Sequence, residues 1–126
     1  MNKINTVAIV GGTHGNEYSG IYLLKKWQQS PELIARDGLE TATLFANTNA
    51  FRDNRRYLDC DLNRQFRTPD LEDNQLSNYE QSRAKVINAQ LGPKGSEKTG
   101  ADFIIDLHNT TSNMGPSLIL LQSDKF

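Results

Sequence analysis

A chain of 126 residues with 37% hydrophobic residues, 23% charged residues and a formal net charge of −1 is about one domain long and can bury roughly two-thirds of its unfolded surface. The near-neutral balance gives no field directed at nucleic acid or an anionic membrane, and no apolar run approaches the ~20 residues of a bilayer span. The single cysteine, Cys60, forms no internal disulfide, and the opening Met1–Asn5 lacks secretory-signal character, so a reducing cytoplasm is the expected location.

In chain order, residues 3–10 read as a short buried strand rich in β-branched side chains. Gly11–Gly15 turns tightly, Asn16 is a candidate N-cap, and Glu17 falls in the first turn of a helix running to about Gln29. Pro31 and Gly38 break the chain before a second strand at Thr41–Asn47. Residues 48–79 are polar and irregular, Tyr79–Leu91 is helical up to Gly92-Pro93, and Ala101–Leu107 is a third strand. Ser117–Gln122 reads as a fourth. This alternation predicts an α/β fold with a mixed, largely parallel sheet flanked by helices. Because a four-strand sheet ending at Phe126 exposes a long edge, the chain is expected to be the N-terminal part of a larger protein.

The two histidines of the sequence, His14 and His108, each follow a strand-like run. In open α/β sheets that is where ligands collect. Glu17, three residues after His14, adds a carboxylate, and His/Glu/His is the ligand set of a catalytic zinc site with one open position. Asp106 is placed to orient the His108 imidazole from behind. Each residue also has an ordinary role. Glu17 suits a helix N-terminus through the macrodipole, His14 a polar loop, His108 a hydrogen-bonded strand end, and Asp106 a solvated one. A third group, Arg56–Arg64 (RYLDCDLNR), lies within Phe51–Arg67, which holds five arginines against three aspartates. Such a run is either a solvated charged loop or a carboxylate clamp built from guanidinium forks. A phosphate cradle is disfavoured, because Gly11–Gly15 matches neither nucleotide-binding glycine pattern.

Taken together, Gly11–Glu17 (GGTHGNE), Arg56–Arg64 and Asp106–Pro116 (DLHNTTSNMGP) resemble, in order, the motifs of the aspartoacylase family of zinc amidohydrolases. The resemblance implies a zinc-carboxypeptidase-like α/β domain, with residues 1–126 its N-terminal part and a β-rich C-terminal domain lying outside them. It implies one Zn²⁺ per subunit held by His14, Glu17 and His108. Arg56 would polarise the scissile carbonyl and stabilise the oxyanion, while Asn63 and Arg64 bind substrate carboxylate. The implied reaction is hydrolysis of N-acetyl-L-aspartate or a similar N-acyl amino acid to a carboxylate and the free amino acid. The family's general-base glutamate falls well after the second zinc histidine, where this chain has no glutamate. Two alternatives follow: a deacylase of succinylglutamate or N-acyl aromatic substrates, and a non-catalytic zinc-binding fragment. The expected partner is a small molecule rather than nucleic acid or membrane, with both a monomer and a homo-oligomer left open.

Overall fold

The computed structural model describes residues 3–97, 99–112 and 115–119. Its centre is a three-stranded sheet in the order β2-β1-β3, formed by β1 (Thr6–Gly11), β2 (Glu40–Phe45) and β3 (Phe103–Leu107). Both pairings are parallel, with Gly11 opposite Phe45 on one side and Leu107 on the other. All three strands therefore end at one level. Helix α1 (Tyr18–Gln29) joins β1 to β2, and α2 (Thr48–Arg52), α3 (Thr68–Glu72) and α4 (Tyr79–Leu91) lie between β2 and β3. The chain passes from the β2 edge to the opposite edge, so the connections diverge around β1. Such a divergence opens a crevice beyond the strand ends.

Helices cover both faces of β1. Gly11 faces α1, since a side chain there would meet Gly20 and Leu24 at 2.9 Å. Its neighbour Val10 points the other way, as strand alternation requires, and packs with Ala46, Leu62, Ala84 and Ile87. Leu24 and Leu62 are fully buried, each contributing about 1.5–3 kcal/mol by leaving water. Burial on both faces explains why β1 reads as a continuous apolar run. Helix α4 starts on a reciprocal cap, Gln81 N–H donating to Asn78 Oδ1 and Asn78 N–H to Gln81 Oε1, a device worth about 1 kcal/mol.

Several boundaries differ from the sequence reading. β1 begins at Thr6 and includes Gly11, and β2 ends at Phe45. There the strand gives way to the Asn47 side chain, which caps α2 by accepting from Ala50 N–H. The stretch 48–79 is not wholly irregular: it holds α2, α3 and a single 3₁₀ turn at Leu62–Arg64. One-turn elements are too short to display a hydrophobic period. Of the fourth strand, residues 117–119 are not in a ladder and 120–122 lie outside the described residues. No helix among the described residues is long and apolar enough to cross a membrane.

At the amino ends of β1 and β3, one carboxylate joins the strands. Asp102 Oδ2 accepts from the N–H groups of Asn5 and Thr6 and from the Thr6 hydroxyl, at 2.9–3.0 Å. Those two amides, then the hydroxyl, hold the Asp102 carboxyl below its ordinary range. A depressed folded-state pKa contributes stability above the unfolded-state value and loses it as pH falls through the folded one. Asp102→Asn is therefore expected to lower the urea midpoint at neutral pH. The gap to wild type should close as pH drops below the usual aspartate range, as read by unfolding curves across an acid series.

Candidate metal centre

Both histidines leave the carboxyl edge of the sheet on adjacent strands. After β1, Gly12 adopts φ +71°, a left-handed turn glycine takes without strain, and His14 follows two residues on. After β3, His108 comes directly behind Leu107. The backbone between His14 and α1 forms a turn, with Glu17 N–H donating to the His14 carbonyl at 3.1 Å. Glu17 is the N-cap of α1, in extended conformation (φ −98°, ψ 92°), and makes no capping bond with its side chain. This corrects the expectation that Asn16 caps the helix and Glu17 lies inside its first turn. The His14–Glu17 proximity survives, created by the turn before the helix rather than by helical spacing.

Freed from capping, the Glu17 carboxylate faces the crevice. Its Oε1 lies 2.8 Å from His14 Nδ1 and its Oε2 2.9 Å from His108 Nδ1, with the two imidazoles 5.1 Å apart. Asn109 N–H donates to Oε2 at 2.8 Å. The Asn109 side chain takes over the capping that Glu17 leaves undone. It accepts from Ser19 N–H at 3.3 Å and donates to Ser19 Oγ at 2.8 Å. Burial opposes the Glu17 charge, but the Asn109 amide and then the two histidines hold its carboxyl below the ordinary value.

A second carboxylate stands behind each imidazole. His14 Nε2 lies 2.9 Å from Asp61 Oδ1, and His108 Nε2 lies 2.8 Å from Asp106 Oδ2. Thr13 Oγ1 donates to the other Asp106 oxygen at 2.9 Å. The Asp106 bond, working against burial and aided by Glu17, raises the His108 pKa. The His14 and His108 donor atoms and the Glu17 oxygen lie within 4.8 Å of one another.

The donor set fits a divalent cation. A neutral imidazole has one N–H, yet each of these rings faces a carboxylate from both nitrogens. With the N–H groups on the outer carboxylates, both Nδ1 lone pairs point at Glu17, an arrangement that a cation among the three turns from repulsive to favourable. Charge agrees. Glu17, Asp61 and Asp106 stand against one guanidinium, Arg56, leaving two negative charges to be met while the imidazoles are neutral.

Arg56 approaches the centre from the side, its Nη1 3.4 Å from Glu17 Oε1 and Nη2 3.8 Å from Asp61 Oδ2, with half its side chain exposed. Asn63 and Arg64 occupy the 3₁₀ turn, which Asp61 caps by accepting from Asn63 N–H at 2.9 Å. Both are exposed, and Arg64 forms no ion pair among the described residues. The fold thus brings together His14, Glu17, His108, Asp106 and Arg56, and holds Asn63 and Arg64 one turn beyond Asp61. Asp61 is the site residue that the sequence reading missed. Its signal was present in the Asp-x-Asn-Arg spacing, since Asp commonly caps the turn it precedes. What the spacing could not show is the His14 contact across 47 residues.

The same geometry depends on Gly15. A side chain there would meet the backbone at Ala50 and Phe51 at 2.3 Å and the Arg55 carbonyl at 2.6 Å, where Gly15 N–H also donates to the Arg56 carbonyl at 3.1 Å. Gly15→Ala is expected to destabilise the fold by about 2–3 kcal/mol, the upper range for overpacking against rigid atoms. Urea denaturation of the variant beside wild type measures it.

The chain is similar to known proteins along most of its length. The profile of the succinylglutamate desuccinylase/aspartoacylase catalytic domain matches residues 3–125. A probable aspartoacylase of Trichodesmium erythraeum is 57% identical over 126 residues, which are all of this chain and 42% of the relative. The human N-acyl-aromatic-L-amino acid amidohydrolase (carboxylate-forming) is 43% identical over 95% of this chain and 38% of its own. The crystal structure of murine aminoacylase 3 superimposes with a TM-score of 0.82 at 41% identity, over 90% of this chain and 38% of that one. The chain thus spans about two-fifths of the length of the curated relatives it matches.

Proposed function

Because the chain belongs to the succinylglutamate desuccinylase/aspartoacylase catalytic-domain family, we propose that it is the N-terminal part of the catalytic domain of a zinc-dependent amidohydrolase. Its proposed substrate is N-acetyl-L-aspartate or a similar N-acyl amino acid, cleaved to a carboxylate and the free amino acid. The observation that carries this reading is the convergence of His14 Nδ1, His108 Nδ1 and the Glu17 carboxylate, with Arg56 beside them. Bound there, Zn²⁺ supplies Lewis acidity and lowers the pKa of a water molecule. His14, Glu17 and His108 hold the ion, while Asp61 and Asp106 fix each imidazole so that Nδ1 faces inward.

Arg56 offers its guanidinium to the oxygen that gains charge as the amide carbonyl becomes tetrahedral. A contact that strengthens in that state raises the rate rather than merely tightening binding. Asn63 and Arg64 take the substrate carboxylate, a match of planar fork to planar anion. The general base is assigned to no residue here. Glu80, the carboxylate buried near the loop, is committed to four N–H donors and does not face the centre. Cys60 makes no case for a nucleophile. Burial and nearby carboxylates raise its thiol despite the Asn78 contact, and both imidazoles are committed elsewhere. A free Cys60 fits the cytoplasmic location proposed for the protein.

The human N-acyl-aromatic relative supports a second reading within the same chemistry, an aromatic rather than acidic side chain on the substrate. Comparing hydrolysis of N-acetyl-L-aspartate with that of N-acetyl-L-phenylalanine decides between them.

Protein purified without chelator or added metal is expected to carry about one zinc per chain, held by three ligands with one position left open. His14→Ala and His108→Ala should each abolish it. Stoichiometric zinc retained in either variant, measured by atomic emission, overturns the triad. In the full-length protein, Arg64→Ala is expected to raise KM for N-acetyl-L-aspartate by about tenfold to a hundredfold, the equivalent of a lost charge-assisted hydrogen bond. The change in kcat should be smaller, since that contact exists in ground and transition states alike. Steady-state kinetics reads the split, and a pure kcat defect contradicts the assignment.

A further inference from the structure

Glu80, the second residue of α4, is fully buried and no Lys or Arg pairs with it among the described residues. Instead its carboxylate collects N–H groups. Oε1 accepts from Leu58 N–H at 2.7 Å and from Asn47 Nδ2 at 3.0 Å, and Oε2 accepts from Asp59 N–H at 2.9 Å and Cys60 N–H at 3.3 Å. Residues 58–60 have no helix or ladder of their own, so one side chain meets the hydrogen-bonding demand of three consecutive amides. The lock is reciprocal. Asp59 Oδ2 accepts from Tyr79 N–H, the first amide of α4, at 2.9 Å. Asn47, the fourth donor, also donates its backbone N–H to the Gly12 carbonyl at 2.9 Å, tying the arrangement to the turn that leads to His14.

We propose that Glu80 is a positioning residue for the substrate grip: through the amides of Leu58, Asp59 and Cys60 it fixes the loop that runs from Arg56 to Asp61, Asn63 and Arg64. The inference rests on reading Arg56, Asn63 and Arg64 as groups that face substrate. The arrangement requires a carboxylate. Two oxygens, each with two lone pairs, accept four donors, and the charge gathered from four N–H groups stands in for a counter-ion. A glutamine of the same shape has one acceptor oxygen, and its NH₂ would confront N–H groups already pointing inward. The metal ligands keep contacts outside that loop, His14 to Glu17, and His108 to Asp106 and Glu17. Loosening residues 58–60 should therefore weaken the substrate grip before it releases the ion.

The test compares wild type, Glu80→Gln and Glu80→Asp as full-length, zinc-loaded protein. Its readouts are metal content, amide hydrogen exchange at residues 58–60, and kcat and KM for N-acetyl-L-aspartate well below each unfolding temperature. In Glu80→Gln the three amides are expected to exchange about tenfold faster or more, with zinc retained. KM should rise about tenfold, the loss of roughly one hydrogen bond's worth of positioning, while kcat falls less. Glu80→Asp keeps the charge and should recover part of the KM. Wild-type KM in a folded, zinc-loaded Glu80→Gln overturns the proposal, leaving a purely structural tie. If that variant does not fold, Glu80→Asp decides: raised KM with full zinc supports the role, and unchanged KM with faster exchange overturns it. If wild type does not hydrolyse the substrate, the acylaspartate reading fails on that result. Succinate affinity then replaces KM, and an affinity unchanged by Glu80→Gln overturns the positioning role.

Discussion

The Glu17 carboxylate meets two imidazoles, a guanidinium and a backbone amide, and the surrounding structure is arranged to keep it facing them. An N-cap side chain that accepts a hydrogen bond ordinarily turns back on its own helix. Here Asn109, which follows His108 beyond the neighbouring strand β3, supplies an acceptor to the Ser19 amide. That substitution ties the start of α1 to the end of β3 and frees Glu17 for the crevice. The helix start and the geometry of the candidate metal centre are therefore one arrangement. Asn109 contributes twice, with its side chain to Ser19 and its backbone N–H to Glu17 Oε2.

The approach of α1 to the sheet is set by missing side chains. A Cβ on Gly11 would meet Gly20 and Leu24 at 2.9 Å, and one on Gly20 would meet Leu107 Cβ at 2.9 Å. These two glycines let the helix lie against both β1 and β3 at the level where the strands end. Since Gly11 and Leu107 are register partners, the same contact that seats the helix also aligns the two histidine-bearing turns. Tight packing of this kind has few alternative solutions, which suits a site whose donor atoms must hold fixed distances.

Much of this was legible in the sequence where a residue acts on its near neighbours. Tyr79–Leu91 carries its own start in Asn78 and Gln81 and its own stop in Gly92, so its bounds agree with the reading. The strand-end positions of His14 and His108 were readable because apolar runs announce strands. Asp61 and Glu80 were not, for a physical reason. Asp61 is a carboxylate in a polar stretch, the composition of a solvated loop, and Glu80 is one in a helix's first turn, where the macrodipole alone accounts for it. Each acquires its role only through contacts 47 and 20–33 residues away. The five-residue helices at Thr48–Arg52 and Thr68–Glu72 were hidden differently, since one turn shows no period. β3 is a further case. Its apolar residues promised burial, yet Phe103, Ile104 and Ile105 are 37–50% exposed, because β3 is the edge of the sheet among the described residues.

The loose hold on Arg56 is what its proposed role requires. A guanidinium locked in a short, buried, bidentate bridge would lose several kcal/mol on leaving its partner. Arg56 instead lies 3.4 Å from Glu17 and 3.8 Å from Asp61 with half its side chain in solvent. Contacts of that length and exposure are worth about 1 kcal/mol or less. The arginine is kept over the centre by charge, yet it can move to a new anion at little cost. Glu17 would surrender part of its negative charge to a bound cation, weakening its claim on Arg56 when a metal is in place. Under the proposed function, ion binding and release of the arginine would be coupled through Glu17, which touches both the imidazoles and Arg56.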